Sequence, residues 1–117
     1  MIDSEDRADA MFHALSDRTR RDILRRVLAG EQSITRLAAS YDMSFAAVQK
    51  HVAVLERAGL VRKRRSGREQ LAGGDVDAVR SVASMLDELE AVWRGRIDRI
   101  DVLLDSTRAS DTSPLED

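Results

Sequence analysis

Five basic residues lie close together near the middle of the chain. Positions 62–65 read Arg-Lys-Arg-Arg, and Arg68 follows three residues later. Guanidinium and ammonium groups bind phosphate and carboxylate oxygens through charge-assisted hydrogen bonds, so this cluster is suited to contact with a polyanion. The chain contains 17 Arg and only 2 Lys, however, and an arginine-rich surface that is merely solvated would give the same run. The cluster alone does not decide between the two.

The distribution of charge along the chain favours the polyanion. The net charge of −2 is close to zero and on its own argues against a nucleic-acid partner. Residues 1–17 hold one basic and five acidic side chains, residues 18–70 hold thirteen and five, and residues 71–117 hold five and eleven. The three net charges are therefore −4, +8 and −6. A basic block between two acidic flanks indicates one surface that meets a polyanion.

Other kinds of chemistry have few residues to support them. The chain has no cysteine and two histidines, so disulfides, thiolate metal ligands and thiol redox chemistry are excluded. No nucleophile motif or phosphate-binding loop occurs, and we expect neither catalysis nor a cofactor. No apolar run is long enough to span a membrane, and the acidic amino terminus lacks a hydrophobic signal region. The expected location is therefore the cytoplasm, with no membrane partner.

Apolar residues recur at helical spacing through most of the chain, which predicts a mainly α-helical fold. Five helices are predicted, at residues 4–15, 18–29, 34–40, 45–58 and 76–105. A turn at residues 41–43 joins the third helix to the fourth, which is typical of a helix-turn-helix motif. We expect residues 1–105 to form one domain and residues 106–117 to be a disordered acidic tail.

The fourth predicted helix has an apolar face and a polar face. Its apolar face repeats at i, i+4 and i+7 with Val48, Val52 and Leu55. The other side carries Phe45, Ala46, Gln49, Lys50 and Ala53. In the major groove a glutamine can bind adenine through two hydrogen bonds, and a phenylalanine can contact a thymine methyl. Phe45 can alternatively lie beneath the third helix.

After Gly59 the pattern changes from helical to strand-like. Residues 60–64 and 68–71 predict two strands, with the turn at residues 66–67. A basic two-stranded β-hairpin after a helix-turn-helix is the wing of a winged helix-turn-helix fold. Because neighbouring strand residues point to opposite faces, only about half of the basic side chains can meet one partner at once.

The last predicted helix carries a seven-residue apolar repeat that begins at Val79, with Arg96 as its exception. Such a seam on a helix too long for a small domain favours a homodimer, although the stripe could instead pack on its own domain. The first helix is expected to assist. The predicted interface comprises Met11, Phe12, Leu15, Val82, Leu86, Leu89, Trp93, Ile97, Ile100 and Leu103.

Three segments together resemble one family. Residues 14–24, ALSDRTRRDIL, resemble the second-helix entry of the ArsR/SmtB repressors, usually ALSDPTR-x-x-IL, with Arg18 in place of the proline. Residues 44–61, SFAAVQKHVAVLERAGLV, resemble the recognition-helix signature of that family, and residues 67–69 resemble its GRE hairpin. The motifs occur in the family's order and spacing, and the resemblance covers roughly residues 6–105. Phe45, the Lys50-His51 pair and residues 93–99 further resemble a metal-independent branch, which is often encoded near small START-fold proteins.

The resemblance implies a homodimeric DNA-binding regulator that represses its own operon and reads a pseudo-palindromic operator. The fourth helix would be the recognition helix, and the operator sequence cannot be carried over because Phe45 and Gln49 depart from the usual residues. The DNA-binding residues implied are Ser44, Phe45, Ala46, Gln49, Lys50, His51, Arg62, Arg64, Arg65, Arg68, Thr35 and Arg20.

The same comparison bears on the effector. Metal sensors of the family carry Cys ligands on the third helix, or Asp, His and Glu ligands on the last. Here the third helix has no such residue and the last has neither His nor Cys, so we expect no transition-metal site. An inducer would be a small organic molecule near the dimer interface, unless occupancy simply follows protein concentration. The competing function is a helical protein-interaction module without specific DNA binding, against which Gln49 and the basic wing argue.

Overall fold

The computed structural model describes residues 4–112 of the chain, and the side chains of residues 4–108. The helices are α1 (Ser4–Leu15), α2 (Arg18–Ala29), α3 (Ile34–Ala39), α4 (Phe45–Arg57) and α5 (Val76–Thr112). The strands are β1 (Gln32–Ser33), β2 (Val61–Ser66) and β3 (Glu69–Gly74). The predicted fold, mainly α-helical with a hairpin wing after a helix-turn-helix, is confirmed.

Polar side chains cap the start of α2 and of the two helices of the helix-turn-helix, α3 and α4. Each accepts a hydrogen bond from an amide in the first turn, which helix geometry leaves without a backbone partner; such a cap is worth about 1 kcal/mol. The pairs are Asp17 with Arg20 N (3.0 Å), Ser33 with Arg36 N (3.1 Å) and Ser44 with Ala47 N (3.1 Å). The starts of α2, α3 and α4 therefore agree with the sequence prediction.

The end of α4 directs the chain into the wing. Gly59 has φ of +80°, a conformation that favours glycine. Its amide donates to the carbonyl of Glu56, and the amide of Leu60 donates to the carbonyl of Leu55, both at 3.0 Å. This pair of bonds is the Schellman motif, which closes a helix and reverses its path. Strand β2 starts at the next residue, so the motif sets the direction of the wing.

The sheet of the wing has three antiparallel strands in the order β1-β3-β2. Strands β2 and β3 form the predicted hairpin, with Val61 opposite Gly74 at its base. Gly67, with φ of +63°, is the first residue of the two-residue turn, as in type II′ hairpins. The sequence prediction lacked β1, because a strand of two residues has no periodic pattern to detect.

Apolar side chains alone form the core of the described residues, where no polar or charged residue is buried. The largest fully buried side chains come from α2, α3, α4 and the two residues Leu60 and Val61, which lie at the entry to β2. They are Ile23, Leu37, Leu55, Leu60, Val48, Val52 and Val61. The predicted apolar face of α4 is thus confirmed in full.

The described residues divide into two compact units between Val82 and Ala83, and α5 contributes to both. Helix α5 continues to Thr112, whereas the sequence predicted its end near Asp105 and a disordered tail from residue 106. Residues 106–112 contain neither Gly nor Pro, so nothing in them interrupts a helix. The rest of that predicted tail, residues 113–117, lies outside the described residues.

Two of the predicted dimer-interface residues belong to the core instead. Met11 is 5% exposed and Val82 is 6% exposed, so neither presents a surface to a partner. Met11 lies near the buried Ala14 on α1, the helix that packs against α2 and α4. The prediction was wrong for both residues because an apolar repeat does not reveal which of its members the protomer already covers.

Helix α2 approaches β3 closely at Gly74. A Cβ atom built there would lie 2.5 Å from Cδ2 of Leu28, 2.7 Å from its Cγ and 3.1 Å from its Cα. Rotation of the Leu28 side chain cannot relieve the contact with Cα. Leu28 is 39% exposed while it rests on this glycine.

We therefore expect Gly74→Ala to lower the free energy of unfolding by about 1–3 kcal/mol, the usual range for an overpacked site. Urea denaturation followed by circular dichroism measures the change. The control is Gly30→Ala, because a Cβ there meets nothing within 4 Å and its φ of 175° suits any residue. Equal losses in the two variants would contradict the close approach of α2 to β3.

Candidate nucleic-acid interface

The outward side of α4 carries the side chains that the sequence predicted for base recognition. Val48, Val52 and Leu55 are all 0% exposed, which fixes the rotation of the helix about its axis. The residues that this rotation leaves exposed are Phe45, Ala46, Gln49 and Lys50. Phe45 is 46% exposed, so it does not lie buried beneath α3.

A cleft of about 220 Å³ joins α4 to the wing and to α3. It brings together five of the residues predicted from the sequence to bind DNA. Its lining consists of Ile34, Thr35, Phe45, Gln49, Arg65, Arg68, Glu69 and Gln70. Two amides, an aromatic ring and two guanidinium groups thus face one concave surface, which suits contact with base edges and phosphates together.

The basic residues of β2 divide between two faces. Arg65 pairs with Gln70 of β3 in the register and lines the cleft. Lys63 lies on the same face by strand alternation, and its ammonium is 3.2 Å from a carboxylate oxygen of Glu56 on α4. Arg65 and Arg68 have no ion-pair partner among the described residues, so their charges remain available.

Arg62 and Arg64 do not join the cleft, although the sequence predicted all the wing arginines as DNA contacts. Arg64 donates to both carboxylate oxygens of Glu31 at 2.7 Å, a bidentate pair. Arg62 lies 2.9 Å from a carboxylate oxygen of Asp75. Strand alternation puts both on the face opposite Arg65, where acidic residues of other segments meet them.

The two carboxyl groups in these ion pairs have lowered pKa values. The hydrogen bond from Arg64 holds the pKa of Glu31 below its usual value. The pKa of Asp75 is lowered first by the backbone amide of Ala78 and also by the charge of Arg62. Asp75 caps α5 through the amides of residues 77 and 78, so one carboxylate fixes both the helix start and Arg62.

The guanidinium of Arg20, which the sequence predicted as a DNA contact, makes several contacts within the protomer. It donates to the carbonyls of Ala14 at 2.8 Å and His13 at 3.1 Å, which end α1. It also lies 3.4 Å from Nδ1 of His51, and that nitrogen is 3.9 Å from a carboxylate oxygen of Asp17. The hydrogen bond from the amide of Arg20 lowers the pKa of Asp17. The side of α4 that carries His51 is therefore held against the start of α2.

The remaining predicted contacts are exposed. Ser44 accepts the amide of Ala47, and its own hydroxyl hydrogen stays available as a donor. Lys50 has no ion-pair or hydrogen-bond partner among the residues whose side chains are described. Both lie in the amino-terminal half of α4, the part of a recognition helix that approaches the DNA.

Tyr41 fixes the turn of the helix-turn-helix. Its hydroxyl donates to Asp22 on α2 at 2.5 Å, and the guanidinium of Arg26 lies over its ring, 5.2 Å from the centroid. Arg26 also donates to Asp22 at 2.9 Å. The hydrogen bond from Tyr41 is the first cause of the lowered pKa of Asp22. The segment just before α4 is thereby attached to α2.

Comparisons with known proteins agree with this arrangement. Residues 15–64 match the family model of the helix-turn-helix domain. The uncharacterized HTH-type transcriptional regulator YuzN of Bacillus subtilis is 45% identical over 67 residues, which are 51% of this chain and 73% of that protein. An ArsR-like transcriptional regulator from Rhodococcus sp. RHA1 is 29% identical, with a TM-score of 0.76 over 87% of this chain and 96% of the other. This chain belongs to the ArsR family of winged helix-turn-helix transcriptional regulators.

A further neighbour shares the fold. It is a possible ArsR-family regulator from Mycobacterium bovis, solved in solution as a homodimeric winged helix-turn-helix DNA-binding domain. Its TM-score is 0.61 at 24% identity, over 73% of this chain and 80% of the other. As a member of this family, the chain is a DNA-binding transcriptional regulator.

Sequence reasoning about this ArsR-family regulator missed two kinds of residue. Gln70 and Glu69 line the cleft, and strand alternation would have revealed Gln70 once its register with Arg65 was known. Tyr41 was read as part of a plain turn, because no local pattern announces a hydrogen bond to a residue 19 positions earlier.

Two negative observations concern only the part of the chain that the structure describes. No group of three or more His, Cys, Asp or Glu side chains there could hold a metal ion. No helix there combines the length and the apolar character that crossing a membrane requires.

Tyr41 is the only tyrosine of the chain, so its titration can be followed directly. Burial, followed by the hydrogen bond to Asp22, raises its pKa from 10.0 to about 12. Ultraviolet absorbance of tyrosinate should therefore rise near pH 12 in the folded protein and near pH 10 in urea. Because the folded pKa is the higher one, the stability that Tyr41 contributes is present below pH 10 and is lost as the pH rises towards 12.

The control for this prediction is Asp22→Asn. It removes the negative charge that opposes tyrosinate but leaves the ring partly buried, so the pKa of Tyr41 should fall only part of the way towards 10.0. A folded wild-type protein that titrates at the same pH as the urea-unfolded chain would contradict the contact.

Proposed function

We propose that this regulator is a homodimeric, sequence-specific repressor of its own operon that does not respond to transition metals. The cleft shared by α3, α4 and the wing carries the proposal. Gln49 and Phe45 are the proposed base-reading residues, and Arg65 and Arg68 are the proposed phosphate contacts. The proposed role is regulation without catalysis, in the cytoplasm, with double-stranded DNA as the partner.

The operator that fits this proposal is pseudo-palindromic. Two recognition helices related by a two-fold axis would enter successive major grooves, so the half-sites would lie about one helical turn apart or a multiple of it. The absence of cysteine supports an effector other than a thiolate-bound metal, and we infer a small organic molecule or none.

Exposed apolar residues of α5 support the homodimer. Within residues 83–108, Leu86, Leu89 and Trp93 are 52%, 66% and 55% exposed. They belong to a stripe along one side of the helix. With Ile97, Ile100 and Leu104, its members are separated by three or four positions. A stripe of this kind is typical of helices that pair with another helix, and the Mycobacterium bovis neighbour of the same fold is homodimeric. Phe12 on α1 is also exposed and remains a predicted member of the interface.

Binding to DNA tests the proposed function. A fluorescent duplex from the region upstream of the chain's own gene should bind more tightly than a scrambled duplex, with an affinity that falls steeply with salt. Gln49→Ala should lose about 1–3 kcal/mol of the preference for the true site, the usual worth of a bidentate contact to a base. Arg65→Ala should weaken both duplexes alike.

Arg64→Ala is the matched control for Arg65→Ala. The two residues are neighbours on β2, but Arg64 is paired with Glu31 whereas Arg65 faces the cleft. We expect the control to change the salt dependence of DNA binding less than Arg65→Ala does. Wild-type protein without preference for the upstream duplex would disprove the function, and equal effects of the two variants would disprove the assignment of the phosphate contacts.

The dimer has a test of its own. Leu89→Glu and Trp93→Glu put a charge on the apolar stripe and should shift sedimentation towards the monomer. The control is Val102→Glu, because Val102 is 67% exposed yet lies nine residues from Trp93, on the opposite side of the helix. A monomeric wild-type protein, or a control that dissociates like the stripe variants, would contradict this interface.

A further inference from the structure

Helix α2 carries a row of arginines that no part of the proposed site uses. Arg18, Arg21 and Arg25 are spaced at i, i+3 and i+7, so they lie along one side of the helix. All three are exposed. They line a cleft of about 450 Å³ together with Thr19, Asp22 and Tyr41. We call these three residues the α2 arginine row.

The row keeps most of its hydrogen-bonding capacity. Arg18 has no ion-pair or hydrogen-bond partner among the described residues. One nitrogen of Arg21 donates to the carbonyl of Leu15 at 2.7 Å, which leaves the other donors of its guanidinium available. Arg25 lies 3.2 Å from Asp22, but its side chain is 77% exposed.

The one acid among the residues that line this cleft already has several partners. Asp22 accepts from Tyr41 and Arg26 as well as from Arg25. Helix α2 holds five arginines and this one acid, so its net charge is +4. The surface around the row is therefore positive even with every internal pair formed.

The amino-terminal end of the row lies near the edge of α4 that faces away from the wing, because Arg18 directly follows Asp17. One edge of α4 faces the wing through Gln49, which lines the cleft with Arg65 and Arg68. The other edge carries His51, which meets Asp17 and Arg20 at the start of α2. Tyr41, only three positions before the cap of α4, forms a wall of the cleft that the row lines. Unpaired charges thus occur towards both edges of the recognition helix, from Arg65 and Arg68 on one side and from Arg18 on the other.

We propose that the α2 arginine row binds the phosphates of the DNA strand that borders the recognition helix opposite the wing. This inference rests on the proposed function and extends it to a second backbone contact. Each of the three guanidinium groups can bind one phosphate, so the row can make up to three backbone contacts. Contacts to the backbone add affinity and fix the docking angle without reading sequence.

The test is the salt dependence of binding, measured on the upstream duplex and on a scrambled duplex of equal length. The variant replaces Arg18, Arg21 and Arg25 by Gln. Each lost phosphate contact reduces the slope of log K against log salt by about 0.9. We expect the slope to fall by about 2–3 on both duplexes, with an unchanged preference for the upstream one.

The matched control replaces Arg7, Arg57 and Arg80 by Gln. It removes the same charge from exposed positions on α1, the carboxyl end of α4 and the start of α5. Its slope should stay near that of the wild type. Because Arg21 and Arg25 make internal contacts, thermal unfolding of each variant is measured as well, and Arg18→Gln alone should reduce the slope by about 0.9.

The outcomes separate this inference from the function on which it rests. An unchanged slope for both the triple variant and Arg18→Gln would disprove the proposed phosphate contacts of the α2 arginine row. So would a loss of preference for the upstream duplex, because phosphate contacts do not read sequence. The wild-type protein could bind both duplexes equally while the variants still reduce the slope. That result would reject sequence-specific regulation but support the phosphate contacts of the α2 arginine row. Absence of binding to either duplex would reject both.

Discussion

The rotation of α4 about its own axis is the constraint on which the rest of the interface depends. Val48, Val52 and Leu55 are all fully buried, and no other rotation of the helix would bury all three. With that rotation fixed, Gln49 must face the wing, His51 must face the start of α2, and Lys50 must face solvent. A polar substitution at any of the three buried positions would therefore disturb the interface as well as the core.

Internal ion pairs divide the basic residues of the wing into paired and unpaired side chains. Arg62, Lys63 and Arg64 each have a carboxylate partner, whereas Arg65 and Arg68 have none among the described residues. The net charge of a segment cannot show this difference, because the partners come from distant positions. Exposed pairs of this kind contribute little to stability. Their effect here is on which charges remain available to an anion.

Local signals made much of the fold predictable. Capping serines and aspartates, Gly59 and the apolar spacing of α4 act within a few residues, and the helix boundaries that depend on them agree with the structure. Long-range contacts could not be predicted from the sequence. The pairing of Arg64 with Glu31 spans 33 positions, and the burial of Met11 depends on helices that arrive later in the chain. The sequence therefore predicted which residues are candidates but not which of them converge.

The bonds of Arg64 to Glu31 and of Arg62 to Asp75 have a consequence for the thermodynamics of recognition. They join β2 to the segment before β1 and to the cap of α5, and they act together with the backbone pairing of the three strands to restrain the orientation of the wing. A restrained wing loses little conformational entropy when it meets a partner, and less of the gross interaction energy is spent on ordering it. The same restraint makes the wing less able to adapt to a groove of another width. The two acids, which touch no partner themselves, thus limit the range of shapes that the protein can accept.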